Sequence, residues 1–70
     1  MPKYLIMVEG ANSWQEIERP QKDLKTVYCL ECSFTSPKTR IAIRNEETKE
    51  TRIFTRRLDS NGNLLEVLEV

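Results

Sequence analysis

The chain has 70 residues, 39% hydrophobic and 31% charged, with 11 basic residues against 11 acidic ones and no histidine. That length predicts one domain over residues 1–70 with a thin core; the aliphatic content argues against disorder, and the missing histidine excludes a Ser-His triad. No apolar run reaches the roughly 20 residues of a membrane span and the N-terminus lacks signal-peptide regions, so no membrane association and a cytosolic protein are expected.

Tyr4-Leu5-Ile6-Met7-Val8 is a nearly continuous apolar run ended by Glu9-Gly10. It predicts a strand over about 3–8, buried on both faces in the middle of a sheet. Ser13-Trp14-Gln15-Glu16 then has the spacing of a capping box, which suits a helical turn running to about Arg19. A loop or short strand that tucks Trp14 and Ile17 against the core suits the same residues. Trp14 carries two readings as well: a cap on the core, or an anchor for a protein interface.

The segment after Pro20 holds two incompatible patterns. As a helix over about 21–34, Leu24, Val27, Tyr28 and Cys32 fall on one side at spacings of three and four. As a strand over 27–35, Tyr28, Leu30, Cys32 and Phe34 alternate with polar or small residues, which would make the protein all-β. The helix is favoured, and Ser36-Pro37 stops either element.

Beyond Pro37 the β signals sharpen. Strands are predicted over about 39–45 and 51–58, joined by the polar loop Glu46-Glu47-Thr48-Lys49. Asn61-Gly62 predicts a two-residue type I′ hairpin into a last strand over about 64–69. Such a hairpin sets Leu58 opposite Leu65 and Arg57 opposite Glu66, so the acidic tail returns across a basic strand. The fold class is therefore α+β, a small domain with an antiparallel sheet and one helix.

Charge is sorted along the chain although the total is zero. Residues 38–57 hold seven cations against three carboxylates, +4, while residues 1–37 carry −1 and residues 58–70 carry −3. Where the arginines point depends on hairpin register, because a slip of one residue turns a whole strand over. If Asn45 opposes Glu50, Ile41 pairs with Phe54 in the core and Arg40, Ala42 and Arg44 share the other face with Ile53 and Arg57. If the loop differs by one residue, Phe54 lies outside among Arg40, Arg44, Arg52 and Arg56, an arrangement suited to stacking on bases and contacting phosphates. The candidate binding residues are accordingly Arg40, Arg44, Arg52, Phe54, Arg56, Arg57 and Trp14. A nucleic-acid domain is usually basic overall, and this chain is neutral, so a protein partner is preferred to RNA or single-stranded DNA. Glu66, Glu69 and Asp59 are placed to neutralise part of the patch.

Cys29-Leu30-Glu31-Cys32 is the one motif with metal or redox spacing. A structural zinc needs four ligands, so the pair suffices only if two chains share the ion in a zinc-bridged homodimer. A redox role needs the first thiol at a helix N-terminus, which this position does not offer. With two glycines there is no phosphate loop, and the serines lack a base, so no catalysis, cofactor or resident metal is expected.

The plan of strand, helix and antiparallel strands in a small chain without catalytic groups resembles accessory proteins of phages and mobile elements, including some anti-CRISPR proteins. That resemblance, one of plan alone, implies a stoichiometric inhibitor occupying a surface on a host complex. The function expected is a non-catalytic protein-interaction module, an inhibitor or adaptor, with nucleic-acid binding and the zinc-bridged homodimer as alternatives.

Overall fold

Alternation of apolar and polar residues builds the sheet, and the computed structural model, which describes residues 1–70, contains five strands. They are β1 (Lys3–Val8), β2 (Gln15–Glu18), β3 (Ile41–Asn45), β4 (Thr51–Leu58) and β5 (Leu64–Glu69), with one helix, α1 (Leu24–Glu31), and a 3₁₀ turn at Cys32–Phe34. The sheet is antiparallel throughout in the order β2-β1-β3-β4-β5. The α+β expectation holds, and the all-β alternative with a strand over 27–35 does not.

The helix lies on one face of the sheet, and every buried side chain belongs to that interface. Leu24, Val27, Tyr28 and Cys32 meet Tyr4, Ile6, Ile41, Ile43 and Phe54, with Val8, Ile17 and Val67 packed around them. The Tyr28 and Phe54 rings stand 5.3 Å apart in a tilted pair. The helix is shorter than the predicted 21–34 because Asp23 caps its start: the Asp23 carboxylate accepts the Thr26 backbone N–H at 3.1 Å. Gln21 stays outside the helix, where its carbonyl accepts a hydrogen bond from the Tyr4 hydroxyl.

Two further expectations are corrected, and one open choice is decided. The 3–8 strand lies between β2 and β3, but only Tyr4 and Ile6 are buried, because no second layer covers Leu5 and Met7. Of the two readings open for residues 15–18, the short strand holds and the helical turn does not. They form an edge strand because the exposed edge of β1 offers backbone partners in the register Tyr4–Ile17, and pairing there places Ile17, though not the exposed Trp14, on the core. The strand predicted from residue 39 begins at Ile41, since the Thr39 N–H donates to the Ser36 carbonyl at 3.1 Å and closes a turn first.

Both hairpins are set by side-chain chemistry at their loops. Asn45 Oδ1 accepts the N–H groups of Glu47 and Thr48, Lys49 takes a positive φ of 68°, and the Asn45 N–H donates to the Glu50 carbonyl at 2.8 Å. That register pairs Ile41 with Phe54. At the second hairpin the two-residue turn is replaced by a three-residue loop, Ser60-Asn61-Gly62, closed by the Asp59 N–H on the Asn63 carbonyl at 2.9 Å. Asp59 Oδ1 accepts the N–H groups of Asn61 and Asn63, and Gly62 alone takes the left-handed conformation, φ 84°. The longer loop pairs Leu58 with Leu64, and an extra residue in β5 then restores Arg57 opposite Glu66. The acidic tail does cross the basic strand.

Candidate functional site

The face of the sheet away from α1 is uncovered, and strand alternation assigns its residues. From the register it carries Leu5 and Met7 of β1, Ala42 and Arg44 of β3, Ile53, Thr55 and Arg57 of β4, and Glu66 and Leu68 of β5. Ile53 and Leu68 are each 38% exposed and Val70 is 62% exposed. Arg40 continues the same alternation, one position beyond the Ile41–Phe54 pair. At the β2 edge the face turns acidic, with Glu16 opposite Leu5 and Glu18 opposite Lys3.

Three of the seven predicted binding residues share this face, Arg40, Arg44 and Arg57, but Arg44 lies opposite Thr51, six residues along β4 from Arg57, so only Arg40 and Arg57 are neighbours. Arg52 and Arg56 project on the helix side. Arg52 lies 3.2 Å from a Glu50 oxygen and 3.5 Å from one of Glu69, and Arg56 donates to the Thr35 carbonyl at 2.6 Å. Phe54 is 1% exposed, so its place in the binding set is withdrawn: the register that buries it also removes the aromatic platform required for stacking on bases. Trp14 lies in the β1–β2 connection, just before β2, and is 37% exposed.

A groove of about 530 Å³ opens at the basic end of this surface. Lys38, Arg40, Arg56 and Arg57 line it around Leu58, Leu68 and Val70. Arg57 Nη1 is 2.8 Å from Glu66 Oε1, whereas the side chains of Lys38 and Arg40 have no ion-pair or hydrogen-bond partner. Sequence reasoning counted Lys38 in the basic segment but did not select it, and it missed Leu68 and Val70. Their signal was the continuing alternation Glu66, Leu68, Val70 on one side of the last strand.

The titratable groups that are perturbed favour no nucleophile. Although Cys29 lies at the surface, partial desolvation against the helix pushes its thiol up, and the neighbouring Cys32 adds to the rise, so the thiol is held protonated at neutral pH. Tyr4 and Tyr28 are also pushed up, chiefly by burial. Cys32 is buried with its thiol on the Cys29 carbonyl, while Cys29 is exposed. A metal shared between two chains needs both sulfurs at the surface, so this geometry gives the zinc-bridged homodimer no support. No helix is long and apolar enough to cross a membrane. What the arrangement offers is a surface of guanidinium groups beside exposed aliphatic side chains. Compared with protein-family models, curated proteins and solved structures, the chain matches none.

Proposed function

We propose that this protein is a non-catalytic, cytosolic interaction module that binds a protein partner through the uncovered sheet face, acting as a stoichiometric inhibitor or adaptor. The observation that carries the reading is the joint exposure of Ile53, Leu68 and Val70 on one surface with Arg40 and Arg44. Exposed aliphatic groups ringed by arginine suit a protein interface, where apolar burial supplies affinity and charge supplies orientation. The buried Phe54 and the zero net charge weigh against a nucleic-acid partner.

The test is retention of partner proteins by immobilised wild type, by Ile53→Lys, and by Lys25→Glu as a control on the exposed side of the helix. Loss of a retained protein with Ile53→Lys alone supports the reading. Equal retention by all three removes it, as does tight binding of labelled single-stranded RNA that weakens steeply between about 50 and 200 mM salt.

A further inference from the structure

Resting on that reading, we infer that the groove between the residue 37–40 segment and β4 receives an extended acidic segment of the partner, with two carboxylates one residue apart and an apolar side chain next on the same side. The inference starts from charge. Lys38, Arg40 and Arg57 line the groove with Arg56, whose guanidinium is taken up by the Thr35 carbonyl on the other face. Of the nearby carboxylates, Glu66 pairs with Arg57, and Glu9, opposite Arg40, accepts the Arg40 backbone N–H at 3.2 Å and makes no bond to its guanidinium. Lys38 and Arg40 remain without partners on a protein that is neutral overall. Cations lining one groove with unbonded side chains favour an anion there.

Geometry then selects the form of the anion. Arg40 lies one position beyond the Ile41–Phe54 pair, hence beside Thr55, and Arg57 lies two residues along β4 on the same face. Thr55 and Arg57 are alternate residues of β4, roughly 7 Å apart, so Arg40, beside Thr55, and Arg57 are offset along the strand by the step between residues i and i+2 of an extended peptide. Continuing by the same step in the other direction reaches Ile53, which lies opposite Ala42, and Val70, whose N–H donates to the Ile53 carbonyl at 2.8 Å. An extended chain laid over this line meets Arg57, then Arg40, then apolar surface.

The pairing of Arg57 with Glu66 shows the chemistry on a carboxylate this chain already supplies. Leu68 and Val70 beside the guanidinium groups favour a peptide over a nucleic-acid backbone, which would place further phosphates where the aliphatic side chains lie.

The probe is a fluorescein-labelled peptide with Glu at i and i+2, Leu at i+4 and threonine between them, titrated by anisotropy. Saturable binding is expected, weakened about tenfold by Arg40→Gln, as for loss of one charged hydrogen bond, and unchanged by Lys25→Gln. The Arg40 side chain makes no internal bond, so Arg40→Gln should keep the wild-type circular dichroism spectrum. Absence of binding at low salt, equal binding by Arg40→Gln, or equal binding of a peptide with Lys in place of Glu overturns the inference. Its failure is separable from that of the broader reading: a partner lost with Ile53→Lys but kept by Arg40→Gln removes the groove and leaves the face.

Discussion

Arg57 and Glu66 face each other across β4 and β5, with Nη1 donating to Oε1 at 2.8 Å, although the loop between those strands is one residue longer than a tight Asn-Gly turn requires. The extra residue in β5 absorbs the difference. The ion pair is solvated on both sides, so its worth to folding is small, and its larger effect is to hold one guanidinium of the basic groove away from other anions.

Replacing Glu66 with Gln should therefore change the unfolding free energy, read by urea denaturation, by no more than about 0.5 kcal/mol. The same variant should bind the acidic peptide several-fold more tightly, because Arg57 is released. An unchanged affinity would show that Arg57 does not contribute.

Gly62 has a φ of 84°, and a Cβ there would meet no atom within 4 Å. The cost of Gly62→Ala is thus backbone strain alone, about 1 kcal/mol. Gly62→Asn should cost less, since Asn tolerates the left-handed region. Urea denaturation of the two variants checks the order.

Two buried tyrosines should respond in opposite ways to loss of the hydroxyl. Tyr4 donates to the Gln21 carbonyl, so Tyr4→Phe should destabilise by about 1 kcal/mol. The Tyr28 hydroxyl is buried without a hydrogen-bond partner, Arg56 nearby being bonded to Thr35, so Tyr28→Phe should be neutral or stabilising by up to about 1 kcal/mol. Thermal melts of both would settle the contrast.

Alkaline pH should unfold the protein early. Cys29, Tyr4 and Tyr28 all ionise at higher pH in the folded state than the ordinary 9.0 for a thiol and 10.0 for a phenol. The unfolded chain then loses these protons first, so the stabilisation is complete below those values and declines as pH rises through them. The melting temperature should fall above about pH 9, and the fall should lessen in Tyr28→Phe. A flat profile to pH 11 would contradict the assignment.

Much of the core was legible because helical and strand periods are local: Leu24, Val27, Tyr28 and Cys32 were placed together from spacing alone, and they are the buried face of α1 and its 3₁₀ turn. The hairpin register was legible as a pair of alternatives, and Asn45 decides between them through hydrogen bonds that spacing does not reveal. The β2 strand was not committed, because Gln15–Glu18 has little strand character of its own and takes its form from the free edge of β1. For the binding surface, the shared face of Arg40, Arg44 and Arg57 was foreseen within one register. The groove was not, since it depends on how the Ser36–Thr39 turn brings Lys38 beside β4.

Of the four neighbouring strand pairs in the sheet, three join strands consecutive in sequence, and the fourth, β1 with β3, spans the whole helical segment from Val8 to Ile41. Short hairpins close quickly, whereas a loop of that length must lose its chain entropy before any pairing rewards it. Residues 41–69 can therefore form as a local meander on which β1 later docks, and that docking is the step expected to set the folding rate. Ile43→Val, in the β1–β3 seam, should slow refolding in a stopped-flow experiment, and Val67→Ala in β5, whose contacts form before that docking, should slow it as well, while Ile17→Ala in the β2 edge strand should mainly hasten unfolding. The meander that carries most of the binding face is thus the part of the chain able to assemble first.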